Sequence, residues 1–155
     1  MRIIMAISLS SAMLFAGEPA RHITPFTGVW KFNATKSAFS SGQPFRSFTL
    51  TFTPDGVRHL DLVAAGGQPL KAALPWSDGK EVTLEVIEGN MTNVKTVSKI
   101  QGRTFEDTWR QDGKVIEKVR GAVSQDGKTL TVDVEGPSSQ GGSFHNSVVF
   151  DKQPR

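Results

Sequence analysis

Cysteine is absent from the 155-residue sequence. Its absence excludes disulfide bonds, cysteine-ligated zinc, iron–sulfur clusters and thiol nucleophiles. Tyrosine is absent as well, and 18 basic residues against 15 acidic ones leave a formal net charge of only +3. Because this excess is small and evenly spread, it gives no reason to expect a nucleic-acid partner. The aromatic residues are mostly phenylalanine, which favours a folded core over disorder.

Long uncharged apolar runs are also missing, except at the N-terminus. After Arg2, residues 3–15 carry no charge, and the small residues Ala16 and Gly17 follow. A charged start, an apolar middle and a small-residue exit are typical of a secretory signal peptide. The run is shorter than the roughly 20 apolar residues that span a bilayer. We therefore predict a signal peptide over residues 1–16, a secreted or periplasmic location, and no stable membrane insertion of the mature chain.

The rest of the chain has a length that suits one domain. We expect residues 17–25 to form a loose N-terminal segment and residues 26–153 to form the folded domain. Since that domain has no disulfide bonds, its stability has to come from its core.

Apolar residues along this domain recur with a period of two. Val82, Leu84 and Val86, for example, alternate with polar residues. Such alternation places one face of a strand on a core and the other face in water. Turn signals rich in glycine and aspartate separate the runs. The pattern predicts strands at 28–34, 46–53, 57–64, 69–75, 81–87, 93–100, 104–110, 115–123, 129–136 and 144–151.

The short connections between these runs leave no room for crossover helices, so neighbouring strands are expected to be antiparallel. The sequence therefore predicts an all-β fold, a single up-and-down meander of about 8–10 strands. Closing the meander into a β-barrel removes the two bare edges that an open sheet would expose. A flattened two-sheet sandwich is the alternative.

The first and last strands carry a family resemblance. Gly28 and Trp30 resemble the Gly-x-Trp opening of the lipocalin and fatty-acid-binding-protein superfamily, and the segment 148–152 resembles the ending of fatty-acid-binding proteins. Residues 26–153 are also similar to a family of small exported bacterial lipocalin-like proteins whose function is unassigned. The shared Gly-x-Trp-Lys-x-Asn-x-x-Lys-Ser pattern is matched here by Gly28, Trp30, Lys31, Asn33, Lys36 and Ser37.

The resemblance implies a calycin-like barrel that encloses a small hydrophobic or amphipathic ligand. We expect the protein to be a monomer. It also implies barrel closure by Gly28, Trp30 and Lys152, with the lysine lying over the tryptophan ring. Fatty-acid-binding proteins hold the ligand carboxylate with an Arg and a Tyr two residues apart on the final strand, where this sequence has Val148 and Phe150. Their two-helix lid has no room here either. A fatty acid is therefore not the expected ligand.

The strand at 104–110 carries the first candidate ligand-binding residues. Phe105, Asp107 and Trp109 share one face. A carboxylate between two large aromatic residues belongs either to a pocket wall or to a face that is partly open. If it is buried, Asp107 is a hydrogen-bond partner or an acid.

Two further candidates depend on which face of their strand points inward. Arg120 is the cation for an anionic ligand or for Asp107 if it points inward, although the valine-rich opposite face favours an external ion pair. His59 shares a face with Asp61, and the pair would orient an imidazole base if that face were interior. Leu60 and its neighbours on the other face favour an exterior position.

Three function classes follow from these observations. The first is an exported barrel that binds a small apolar or amphipathic ligand. The second is a barrel enzyme that uses an interior acid such as Asp107 with Arg120 or His59, although no nucleophile motif is present and no catalytic residue is assigned. The third is a solid-core module that binds protein or envelope polymer. The spacing of the three histidines promises no metal site, and we expect no cofactor.

Overall fold

The computed structural model describes residues 24–155, so the predicted signal peptide at 1–16 lies outside the described residues. Twelve strands form a single sheet. They are β1 (Gly28–Phe32), β2 (Ala38–Phe39), β3 (Phe45–Phe52), β4 (Val57–Ala64), β5 (Pro69–Pro75), β6 (Glu81–Thr83), β7 (Glu85–Glu88), β8 (Val94–Gln101), β9 (Thr104–Gln111), β10 (Lys114–Val123), β11 (Thr129–Pro137) and β12 (Ser143–Lys152). Each of the long strands falls within about two residues of a predicted run, and the all-β prediction is confirmed.

The strands form an antiparallel meander that is nearly closed into a barrel. The sheet order is β6-β8-β9-β10-β11-β12-β1-β3-β4-β5-β7, so β6 and β7 lie at its two ends. These two strands are consecutive in the chain and are separated only by Leu84, whose side chain is buried. One segment of chain therefore pairs first with β8 and then with β5, which brings the two ends of the sheet together.

A short 3-10 helix, Ala34–Lys36, and the two-residue strand β2 follow β1 and were not predicted. They explain the Asn-x-x-Lys-Ser part of the sequence pattern. The Asn33 side chain accepts hydrogen bonds from the backbone of the helix and donates one to Asp151, while Lys36 contacts the same carboxylate at 2.8 Å. The hydrogen bond from Asn33, and after it the one from Lys36, holds the pKa of Asp151 below its usual range. The pattern thus joins the first strand to the last.

One end of the barrel is closed by aromatic packing. The Phe26 ring lies within 6 Å of the rings of Phe52, Trp76 and Phe105. The Trp30 indole N–H donates to the Phe26 carbonyl at 2.7 Å, and the Trp30 side chain is fully buried. Phe26 therefore plugs this end of the barrel.

Lys152 covers the outer side of this plug. Its Nζ atom lies 5.0 Å from the centroid of the Trp30 ring, and the two residues are paired across β1 and β12. Gly28 has a φ of 134°, and a Cβ atom there would lie 2.9 Å from Cε of Lys152. A glycine is therefore needed where the lysine crosses the first strand.

The opposite end of the barrel is open. Its rim is built from the connections β2–β3, β4–β5, β7–β8 and β11–β12. No helix in residues 24–155 is long and apolar enough to cross a membrane.

Candidate functional site

A cavity of about 750 Å³ occupies the barrel from its interior to the open end. At the rim, Ser41, Gln43, Met91 and Ser139 line its mouth. The walls are formed by apolar side chains that point inward from alternate positions of the strands. They include Phe45, Phe48, Leu50, Leu60, Leu62, Leu70, Val119, Val132, Val134, Val148 and Phe150.

A buried ion pair lies in the cavity wall next to the aromatic plug. Arg58 Nη1 lies 2.7 Å from Asp107 Oδ2, and the two residues are only 4% and 3% exposed. The guanidinium carbon of Arg58 lies 4.5 Å from the Trp76 ring centroid and 5.1 Å from that of Phe105. The cation is therefore held between a carboxylate and aromatic faces, two environments that favour it.

Several polar atoms around this ion pair have no hydrogen-bond partner in the described part of the chain. Such orphaned atoms are expensive in a protein interior. Thr96 and Ser98 of β8 are paired in register with Trp109 and Asp107 of β9, so their hydroxyl groups point to the same side. The unpartnered atoms are Arg58 Nε and Nη2, Asp107 Oδ1, Trp109 Nε1, Trp76 Nε1, Thr96 Oγ1 and Ser98 Oγ. Of the residues that carry these atoms, Arg58, Asp107 and Trp109 line the cavity, and we call these three the polar floor.

Glu117 adds a second carboxyl group to the cavity wall. It belongs to β10 and is paired in register with Trp109 of β9. Burial raises its pKa to about 7, because an apolar environment disfavours the charged form.

The structure brings three of the five predicted ligand-binding residues together. Phe105, Asp107 and Trp109 line the cavity. Phe105 fits because Gly121 faces it from β10: a Cβ atom at Gly121 would lie 2.0 Å from Cε1 of the ring. Whether these residues contact a ligand stays a prediction.

The other two candidates do not reach the cavity. Arg120 is on the outer surface, where its side chain is 67% exposed and its Nε atom lies 3.9 Å from Glu106. His59 is also exposed, on the face of β4 opposite Leu60. Arg120 is therefore not the interior cation. Arg58, which was not among the predicted residues, has that position.

A signal for Arg58 was present in the sequence. Leu60 and Leu62 favour their own face as the interior, and two-residue alternation places Arg58 on that same face. The position looks external because arginine is seldom buried without a partner, and its partner Asp107 is distant in sequence. Glu117 lies on the valine-rich face of β10 that was predicted to be interior. It was not proposed as a site residue because charged side chains are seldom buried.

Within residues 24–155, no three histidine, aspartate or glutamate side chains are grouped so that they could hold a metal ion.

Comparison with known proteins identifies the fold. No protein-family profile and no curated protein sequence matches the chain. Among solved structures, a mutant of the fluorescent protein UnaG is similar to this chain with a TM-score of 0.56 and 14% sequence identity. The match covers 84% of this chain and 97% of that one. The protein thus has the nearly closed antiparallel architecture of a lipocalin-like and fatty-acid-binding-protein-like barrel.

Proposed function

We propose that the protein binds a small apolar or amphipathic molecule inside its barrel. The observation that carries this proposal is the cavity of about 750 Å³, which has apolar walls, a polar floor and one open end. Ligand sites in proteins are concave, mostly apolar and supplied with a few polar groups, and they have volumes of about 300–1,000 Å³. A solid-core interaction module would not keep such a space.

The apolar walls of the cavity provide the surface that would stabilise a bound ligand. Phe48, Leu62 and Val134 belong to partly buried positions whose side chains face the cavity. A ligand that covers them removes apolar surface from water on both sides of the contact, which is favourable in proportion to the area covered.

Titration with the neutral apolar fluorophore N-phenyl-1-naphthylamine tests the proposal. We expect saturable binding with one equivalent of probe. Val134→Trp extends a large side chain into the cavity and should change the affinity for the probe at least about twofold, since the indole takes up part of the cavity and replaces part of its wall. The matched control is Glu135→Trp, because Glu135 is the next residue on the same strand and is exposed on the outer face.

Circular dichroism establishes that both variants are folded. The control should bind the probe as the unmodified protein does. An unmodified protein that binds no probe, or a folded Val134→Trp variant that binds it equally well, would overturn the proposal.

The proposal includes export. It is supported by the positive charge, apolar stretch and small residues of the segment 1–17. We expect the full chain, carrying a C-terminal affinity tag, to be recovered outside the cytoplasm with a new N-terminus close to Gly17. Recovery in the cytoplasm with Met1 or Arg2 at the N-terminus would contradict it.

A second candidate function, acid–base catalysis inside the barrel, is favoured by one observation. Glu117 has a pKa of about 7 and lines the same cavity as Asp107, and catalytic carboxyl groups are often tuned in this way. Hydrolysis of 4-nitrophenyl butyrate provides a test. A catalytic role requires turnover that follows the ionisation of Glu117 and is lost in Glu117→Gln, while a protein that only binds ligands gives the background rate in both.

A further inference from the structure

We infer that the polar floor binds a neutral head group that carries both a hydrogen-bond acceptor and a donor, such as a carboxamide, a lactam or a urea. This inference rests on the proposed function and specifies the chemistry of the ligand end that lies deepest in the cavity. It concerns Arg58, Asp107 and Trp109, all of which are more than nine-tenths buried.

Charge balance argues for a neutral head group. Arg58 and Asp107 already neutralise each other across a 2.7 Å contact. An anionic head group would leave one uncompensated negative charge among the buried rings, and a cationic one would leave a positive charge, each at a large desolvation cost. Glu117 lies in the same wall. Its carboxylate, when ionised, would repel an anionic head group.

The unpartnered atoms then define which neutral group fits. Arg58 uses only Nη1 for Asp107, so Nε and Nη2 remain without partners. These two N–H groups lie on one edge of the planar guanidinium and form a fork that suits a carbonyl oxygen. Trp109 Nε1 is a further unpartnered donor.

An acceptor remains beside these donors. Asp107 Oδ1 has no hydrogen-bond partner in residues 24–155, and an ionised carboxylate oxygen can only accept. A group with a carbonyl alone would satisfy the fork and leave Oδ1 buried without a bond. An N–H on the same head group provides the missing donor, as in an amide.

Fatty-acid-binding proteins, which this sequence resembles, hold a carboxylate with an Arg and a Tyr on the final strand, where this chain has Val148 and Phe150. Here the interior arginine comes from β4 and already has a carboxylate partner. The inference therefore predicts a reversal of head-group preference relative to that family.

Competition among chain-matched ligands tests the inference. Dodecanamide, dodecanoate, methyl dodecanoate and dodecylamine have similar apolar chains but different head groups. We would measure their displacement of N-phenyl-1-naphthylamine at pH 8. Dodecanamide should bind at least about tenfold more tightly than dodecanoate, because one unsatisfied buried charged group costs enough for that factor. The ester and the amine should fall below the amide.

Asp107→Asn sharpens the test by removing the negative charge while keeping the side-chain shape. Arg58 then has no counter-ion, and dodecanoate should gain at least about tenfold relative to dodecanamide. Glu106→Gln is the matched control, because Glu106 is the preceding residue on β9 and is exposed; its preference should equal that of the unmodified protein. If Asp107→Asn does not fold, Trp109→Phe removes one donor and keeps a ring, and the amide should lose several-fold more affinity than the amine.

The possible failures are distinguishable. If the fluorophore does not bind, the proposed function fails and the inference fails with it. If it binds but all four head groups compete equally, or dodecanoate competes best, the barrel binds apolar chains and the inference about the polar floor is wrong.

Discussion

The two ends of the barrel differ in what occupies them. At the closed end, rings from the plug and from three separate strand regions contact one another, and Phe26, Trp30 and Phe105 are almost entirely buried. At the open end, Ser41 and Ser139 are exposed and the inward side chains leave a cavity. A second ring cluster lies toward the open end, but there the rings form a wall around the cavity instead of filling the interior. Its members are Phe32, Phe39, Phe45, Phe48 and Phe150.

The Arg58–Asp107 pair lies at the boundary between these two regions. Its arginine contacts the plug rings, and both residues line the cavity. The pair thus belongs to the structure of one end and to the candidate chemistry of the other.

Removing the plug is expected to have the largest effect. Phe26→Ala deletes a ring that contacts Phe52, Trp76 and Phe105, so we expect a loss of about 3–5 kcal/mol in the free energy of unfolding, measured by denaturant titration. Phe144→Ala makes the same chemical change in the cavity wall near the open end and should cost less than about 1.5 kcal/mol, because part of that ring already faces the cavity. Equal losses would show that the two ends contribute alike to stability.

Breaking the boundary ion pair comes next. Arg58→Met leaves the carboxylate of Asp107 buried without its partner, and we expect the free energy of unfolding to fall by on the order of 3 kcal/mol.

The double variant Arg58→Met/Asp107→Leu separates this cost from the loss of packing. It should be more stable than Arg58→Met, because it removes the isolated charge as well. A double variant less stable than the single one would show that the attraction within the pair outweighs its desolvation.

The contrast between the ends also explains what sequence could predict. Strands with regular alternation, such as Leu130 to Val134, were placed correctly because each buries one face. The two-residue strand β2 was missed because two residues carry no period. The break at Leu84 was missed because alternation continues through it, while only hydrogen bonding to different neighbours divides the segment.

The sequence predicted cavity-lining residues only on β9, where large apolar side chains lie on the inward face of the strand. Phe105 and Trp109 were found because large aromatic residues on one face indicate an interior. Arg58 was missed because its burial depends on Asp107, which is 49 residues away in the chain, and sequence distance hides such a pairing. Closure of the barrel decides which charged residues meet inside.

A pH-dependent effect of intermediate size is expected at the open region. Burial raises the pKa of Glu117 to about 7 from an ordinary value of 4.5. Between these values the folded protein keeps a proton that the unfolded chain has released, so the free energy of unfolding falls as pH rises through this window and levels off above it. The contribution is about 3 kcal/mol, and Glu117→Gln should remove it.

Denaturant titrations at pH 5 and pH 8 provide the measurement for Glu117. The charged groups that share the cavity wall with it are Arg58 and Asp107, and neither changes in the variant. Glu85→Gln is the control, because Glu85 is exposed on β7; it should retain the pH dependence of the unmodified protein. A Glu117→Gln variant with an unchanged difference between the two pH values would show that this carboxyl is solvated.

The smallest effect on stability, and a clear effect on ligand entry, is expected at the rim. Ser41→Trp adds a large side chain to an exposed position that lines the mouth. The free energy of unfolding should change by less than about 0.5 kcal/mol, as for other surface substitutions. Stopped-flow measurement should nevertheless show several-fold slower association of N-phenyl-1-naphthylamine, because the probe has to pass this position. Lys80→Trp, an exposed change near the closed end, should leave the association rate unaltered. If Lys80→Trp slows entry and Ser41→Trp does not, ligands enter through the end that the aromatic plug occupies, and the assignment of the two ends is wrong.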